Sequence, residues 1–367
     1  MNRVAGGFRV AVVGASSLLG KELIAVLKER QFPISRLVTP GGLDEAQPDL
    51  PILDLSGGLE AVVTEADVGE SDLDFVFLAG PVRPSAKMTA PENDAAPFLG
   101  SSKRLASATR CKVIDLSESL ASEPGGVLSV PFLDRAAATA GGRAADPASK
   151  FFISAHPVTI VISALLLRLA ARFPIKTVVA QVFGPVSEIG SQAIDELQKQ
   201  TLNLLSFQKI SQAVFGTQLA FNLLPRFGRS RSAHITNLES RVQKEIFDYL
   251  DRRVPPPALR VIYGPVFHSL ACSIYVAMVQ PATPEALSQA LAGEPIRVKK
   301  VSEPPPTQIE VSGSSEIVVD ALAPDAGHAE GVWIWAAADN LRLAAVNAVE
   351  IAECFKQEVR LHSPLDN

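Results

Sequence analysis

The sequence predicts an α/β protein of two domains, a doubly wound parallel sheet followed by an α+β unit, and three observations carry that prediction. The chain has 367 residues, longer than the ~100–200 of one typical core. Its first part alternates short apolar runs with a segment of helical periodicity, the order of a parallel sheet with crossover helices. A small-residue tract, AAATAGGRAADPASK at about residues 136–150, then separates this part from a second set of helices and strands. Domains are therefore expected at 1–150 and 151–338, the first completed by a C-terminal helix within 339–367.

The first strand is Phe8 to Val13, Val-rich as a strand buried on both faces should be. A turn follows, and then Leu18, Leu19, Leu23, Val26 and Leu27 recur at helical spacing until Pro33. Further buried strands are expected at Leu37-Val38, 61–64, Phe75 to Ala79 and Lys112 to Asp115. In the second part, Val158 to Ala171 reads as a buried helix interrupted by Ser163 and Arg168, and Thr177 to Phe183 as a strand. EIGSQAIDELQKQTLNLLSF reads as an amphipathic helix, and a further helix is expected from about Leu238 to Leu250. ALRVIYGPVFHSLACSIYVAMV reads as one long strand or a strand pair, EPPPTQ as a stiff connector, and VWIWAAA as a final strand before the terminal helix.

Composition excludes several classes of function. Hydrophobic residues make up 47% and charged ones 20%, so an ordered core is expected. A net charge of −5 without a basic block gives no footprint for nucleic acid or an anionic membrane. The three cysteines, Cys111, Cys272 and Cys354, are far apart and odd in number, which fits neither a disulfide framework nor a metal site. With no secretory pattern at the N-terminus, a cytoplasmic location is expected.

The turn Gly14-Ala15-Ser16-Ser17-Leu18-Leu19-Gly20 follows a strand and opens a helix, the setting in which backbone N–H groups approach a pyrophosphate. These seven residues are the candidate cofactor site of a Rossmann-type domain. Ser17 stands where such turns usually carry a middle glycine; its Cβ narrows the approach, while its hydroxyl offers a hydrogen bond instead. The alternative is a tight turn without a ligand.

At this point the residues resemble a known family, the aspartate-semialdehyde dehydrogenases, with N-acetyl-glutamyl-phosphate reductases as more distant relatives. VAVVGASSLLGKEL is similar to the family's V-G-A-T-G-x-V-G-x-E-L opening, and KVIDLSESL to its V-I-D-N-S-S. QLAFNLLPRFG and DNLRLAAVNAVEIAE, two long and specific matches, resemble its Q-x-A-F-N-V-I-P-H-I and its C-terminal D-N-L-R-K-G-A-A-L-N-A-V-Q-I-A-E. The resemblance implies a substrate and dimerisation domain, a homodimer, NADP or NAD as cofactor with Asn340 at its site, and interconversion of aspartyl phosphate and aspartate semialdehyde.

That reaction needs a cysteine thiolate at the start of an apolar helix, where the helix N-terminus lowers the thiol pKa. Here the segment reads Ile153-Ser154-Ala155-His156-Pro157-Val158-Thr159-Ile160: alignment on Thr-Ile puts Pro157 at the nucleophile position, alignment on the Pro of N-P deletes the nucleophile, and neither supplies a thiol. Ser154 has no base placed by sequence, and His156 reads first as a helix-start histidine satisfied by the backbone. Cys272, four residues after His268 on one apparent strand, is expected on the same face as His268. Cys111 and Cys354 read as structural. His268 matches the family's G-H-S histidine and is the candidate acid or base, with a half-buried strand histidine as the alternative.

Arg260, Glu239 and Arg241 fall near the family's substrate-binding arginine and its E-E-x-K pair, where an arginine grips phosphate bidentately; a solvated helix face explains the helical pair equally. Three departures weaken the ligand sites. Val38-Thr39-Pro40-Gly41-Gly42 lacks the arginine for the extra phosphate of NADP, Leu120-Ala121 replace the segment of a phosphate arginine, and Phe183-Gly184-Pro185-Val186 replaces S-G-A-G. The expected protein is thus a catalytically inactive or strongly impaired paralogue that keeps the fold and a homodimer interface, with NADP or NAD either retained as cofactor or lost, and a small-molecule substrate in doubt. The alternatives are an active oxidoreductase using His268 without a covalent thioester, and a nucleotide-sensing or dimeric interaction module.

Overall fold

The computed structural model describes residues 7–39, 73–80, 111–117, 125–138, 149–228, 234–251 and 253–356. Two compact units emerge, Met1–Ala155 with Ala344–Asn367, and His156–Leu343. The α/β fold is confirmed, with a parallel sheet in the first unit and a mixed sheet in the second.

The first unit is built on β1 (Phe8–Val13), β2 (Ile34–Val38), β3 (Phe75–Leu78), β4 (Lys112–Asp115), β5 (Gly126–Ser129) and β6 (Phe151–Ser154). They run parallel in the order β2-β1-β3-β4-β6-β5. The candidate strand at 61–64 lies outside the described residues. β6 corrects the expected boundary at residue 151: it pairs with β4 and β5, so its backbone completes the first sheet and the second unit begins at His156.

Helix α1 (Leu18–Glu29) lays Leu23, Val26 and Leu27 against Val10, Val12, Phe75 and Phe77, the helical stripe meeting strands that are apolar on both faces. Helix α2 (Pro131–Ala138) follows β5. From the far end of the sequence Ala345, Ala348, Val349 and Ala352 join the same core, and Arg30 pairs with Glu353 at 2.6 Å and Glu350 at 3.7 Å to fix that terminal helix beside α1. The terminal helix therefore completes the first sheet's core.

The second unit opens on α3 (Pro157–Ala170) and β7 (Ile175–Gly184), then a 3-10 turn (Val186–Glu188), α4 (Ser191–Leu205) and α5 (His234–Leu250). The long apolar segment is a pair, β8 (Ala258–Tyr263) and β9 (Leu270–Met278), and α6 (Pro284–Leu291) and β10 (Ile296–Val298) follow. After α7 (Gln308–Val311), β11 (Ile317–Val319) and β12 (Ala323–Pro324) come β13 (Gly331–Ala338) and α8 (Asn340–Cys354). The sheet order is β10-β11-β13-β9-β7-β8, with β12 beside β13.

Along β7 the residues Val178, Ala180 and Val182 are buried on the side of α3, while Thr177, Val179 and Gln181 point away, the period of two that distinguishes the sheet's faces. Arg168, which interrupts the apolar run of α3, donates to the carbonyls of Leu291, Gly293 and Glu294 and so closes the C-terminal end of α6.

Gly20 of α1 leaves no space for a side chain: a Cβ there would lie 2.8 Å from the Ala15 Cα and closer still to the Gly14 carbonyl. Gly20→Ala is therefore expected to lower stability by ~2–4 kcal/mol, as a backbone-forcing core change does. Urea unfolding measures it, and an unchanged midpoint contradicts the packing.

Candidate active site

The glycine turn lies at the C-terminal end of β1. Gly14 takes φ +76°, a left-handed conformation that suits glycine, and packs against Gly80, to whose nitrogen a Cβ would come within 2.9 Å. Ser17 is the N-cap of α1: its Oγ accepts from the Gly20 N–H at 2.9 Å and donates to the Ala79 carbonyl at 2.8 Å. For a dinucleotide, Gly14 and Gly20 fit, giving the tight turn and the close helix–strand contact, but Ser17 does not, because its hydroxyl already has both partners. Val38 and Thr39 end β2 without a cation, whereas 40–42 and Leu120-Ala121 lie outside the described residues.

A second arrangement surrounds the start of α3. His156 is the N-cap, and its Nδ1 accepts from the Val158 N–H at 3.2 Å, so the ring proton sits on Nε2, which donates to Glu188 Oε1 at 3.2 Å. Pro157 occupies the first helical position, where its missing N–H costs nothing. Glu245 Oε2 accepts from the His156 N–H at 2.8 Å and from Thr159 Oγ1 at 2.6 Å, and its Oε1 accepts from Arg241 Nε at 2.6 Å. A buried carboxylate thus joins α5 to the first turn of α3, where the helix dipole favours negative charge.

Glu188 ends the 3-10 turn beside His156, His234 and Tyr263. Burial alone would push its carboxyl up, but His156, then His234 and the Tyr263 hydroxyl, outweigh it and hold the group below its ordinary value. Phe227 packs on Tyr263 with ring centroids 4.9 Å apart and on His234 at 5.8 Å, closing this pocket with aromatic surface.

His268 is exposed on the loop between β8 and β9, not on a strand. The Val186 and Ser187 N–H groups bond the carbonyls of Val266 and Phe267, both at 2.9 Å. Ser269, at φ +69°, donates its N–H to Asn340 Oδ1 at 3.1 Å, and Ser187 Oγ donates to the same atom at 3.3 Å. This left-handed residue corrects the expected alternation: it breaks the period between His268 and Cys272, so Cys272 faces the buried side of β9 while His268 faces solvent. Burial pushes the Cys272 thiol up to about 12, and burial with the Asp74 charge does the same to Cys111. Cys354 is exposed at the end of α8. Ser154 accepts from the Asn347 amide at 2.9 Å, within the first unit.

The three candidate substrate residues are not brought together around an anion. Arg241 is turned to Glu245, and Glu239 accepts from the Val261 N–H at 2.8 Å with Arg260 3.8 Å from its other oxygen. Arg260 is 67% exposed on the face of β8 opposite the buried Val261 and Tyr263. Sequence reasoning missed Glu188, Glu245, His234 and Tyr263; the i,i+4 spacing of Arg241 and Glu245 was the one available signal. Among the described residues no group of His, Cys, Asp and Glu could hold a metal, and no helix is long and apolar enough to cross a membrane.

Residues 166–343 match the family model for the semialdehyde dehydrogenase dimerisation domain. An aspartate-semialdehyde dehydrogenase of Shewanella violacea is 28% identical over 361 residues, covering 94% of this chain and 97% of that protein. The solved structure of a probable aspartate-semialdehyde dehydrogenase from Pseudomonas aeruginosa superimposes with a TM-score of 0.77 at 25% identity, over 95% of this chain and 98% of that one. Along nearly its whole length the chain is similar to aspartate-semialdehyde dehydrogenases, and its second unit carries the semialdehyde dehydrogenase dimerisation domain. A USG-1 protein homolog of P. aeruginosa is as similar to this chain, 28% identical over 349 residues, with 94% and 96% of the two chains covered.

The lowered Glu188 carboxyl has a definite sign in folding. Ionised Glu188 adds stability above its ordinary value of 4.5, and that stability is lost as pH falls through the lower folded value. Urea midpoints measured from about pH 6 to about pH 3 should fall less steeply for Glu188→Gln than for the wild type; parallel curves rule out this coupling.

Proposed function

We propose that this aspartate-semialdehyde dehydrogenase-like chain is a homodimer in which the family reaction is lost or strongly impaired, and that it acts through interaction. The observation that carries the reading is the start of α3. The resemblance puts the nucleophilic thiolate there, and this chain has Pro157 at that position and His156 as the cap. Both ring nitrogens of His156 are engaged, Nδ1 by the backbone and Nε2 by Glu188, so the imidazole offers a substrate neither a lone pair nor a free proton. Glu245 already meets the positive end of the helix dipole. The Cys111 and Cys272 thiols are buried and pushed up to about 12, far from the accessible thiolate that carbonyl attack requires.

The outer face of the second sheet supports the homodimer. Three cross-strand rows lie side by side: Ala258, Val179, Tyr275 and Trp333; Arg260, Gln181, Ser273 and Trp335; Ile262, Phe183, Ala271 and Ala337. The rings of Tyr275 and Trp333 stand 5.1 Å apart and those of Phe183 and Trp335 5.8 Å apart. The short α7 covers the Ala337 end of this face, and the Pro306 carbonyl just before it accepts the Trp335 Nε1–H at 3.0 Å. A broad aromatic surface with a few polar groups suits a second copy of the same domain, as the name of the matched family model indicates.

A second reading, an oxidoreductase using His268 as acid or base without a covalent thioester, is favoured by one feature. His268 is exposed on a loop fixed at both ends, by Val186 and Ser187 and by Asn340.

Recombinant protein supplied with aspartate semialdehyde, phosphate and NADP is expected to give no turnover above background, and ordinary turnover sinks the first reading. His268→Ala separates the second: an activity toward short aldehydes in the wild type should vanish in the variant. For assembly, sedimentation should give the mass of two chains, and Trp333→Asp should weaken the dimer by ~2–4 kcal/mol, as loss of an aromatic anchor does. A monomeric wild type excludes the homodimer.

A further inference from the structure

We propose that Ser17 is the residue that keeps a dinucleotide pyrophosphate out of this chain's nucleotide crevice, by bolting the start of α1 to the end of β3. The inference rests on the family scaffold read above and concerns binding rather than turnover. In the parallel sheet the order β2-β1-β3 makes the ends of β1 and β3 the point where the winding reverses, and the crevice there is where such folds take the phosphates of NADP or NAD. Ser17 spans that place. Its hydroxyl proton goes to the Ala79 carbonyl just after β3, at 2.8 Å, and its oxygen accepts the Gly20 N–H of α1, at 2.9 Å.

Three consequences follow for an anionic ligand. A serine hydroxyl has one proton, so none remains for a phosphate oxygen. The Gly20 N–H, one of the helix-start amides that an anion at this position draws on, already has an acceptor inside the protein. The gap is also narrow, because a Cβ placed on Gly80 would meet the Ser17 Cβ and Oγ at 3.2 Å. The side chain thus takes one of the helix-start amides that a ligand phosphate would otherwise meet. Glycine in that place would remove both the bolt and the Cβ while still serving as an N-cap.

The test is calorimetric titration of the full-length chain with NADP and, separately, NAD, for the wild type, Ser17→Gly and Ser17→Ala. Ser17→Ala keeps the Cβ and removes only the hydrogen bonds, and circular dichroism with a thermal midpoint shows that each variant is folded. The expected result is no saturable heat for the wild type and binding by Ser17→Gly at least about tenfold tighter, with Ser17→Ala between them. A wild type that binds either nucleotide as tightly as Ser17→Gly overturns the inference, and so does a folded Ser17→Gly that binds neither. If the glycine variant does not fold, saturable micromolar binding by the wild type still overturns the inference, and a gain in Ser17→Ala sustains it. Failure here leaves the reading of the α3 start untouched, since that reading is decided by the turnover assay.

Discussion

The first amides of an α-helix have no partner within the helix, and both candidate sites of this protein depend on how that demand is met. At α1 the acceptor is Ser17 Oγ, and at α3 it is the His156 ring, with Glu245 taking the amide of His156 itself. A helix start whose amides point into a crevice is a ready anion site, whether for a phosphate or for a thiolate. When the chain supplies its own acceptor, the same geometry becomes a joint. At α1 the joint ties the helix to β3, and at α3 it ties the first turn to α5 through Glu245 and Arg241. One local rule of backbone chemistry thus shapes a helix start in each of the two units.

The second unit arranges its polar groups by a similar economy. Asn340 Oδ1 receives both the Ser269 N–H and the Ser187 hydroxyl, so one buried oxygen fixes the loop that carries His268 and the short turn that carries Glu188. Ser269 adopts a conformation that costs a non-glycine residue free energy, and the surrounding hydrogen bonds hold it there. Exposed His268 and buried Cys272 end up on different sides because of that single backbone torsion.

Much of the fold was legible in the sequence, because periodicity reports burial directly. The Val-rich β1, the α1 stripe and the apolar run that became α3 each follow a period that only one kind of element satisfies. The start of the second unit was less legible: β6 is too short for its four residues to reveal which sheet they join, and its pairing with β4 and β5 decided it. The site was harder still. His156 was visible as a helix-start histidine, yet its partner Glu188 comes from a turn 32 positions away and Glu245 from a helix 89 positions away. Ser17 was visible as a departure from a glycine pattern, but no pattern announces that its proton goes to Ala79, 62 positions along the chain. Side-chain partners at such separations are set by tertiary packing, which one sequence encodes without displaying.

Strand β8 ends the mixed sheet, and an end strand ordinarily presents a row of unmatched donors and acceptors. Here Glu239 takes the Val261 N–H, while Leu224 and Tyr263 exchange both of their backbone hydrogen bonds, at 2.8 and 3.0 Å. Arg260 places a cation just before these two seals. Another molecule can therefore stack on the sheet but finds little backbone to zip onto at this margin. Ribbon-like growth through this edge is thereby disfavoured.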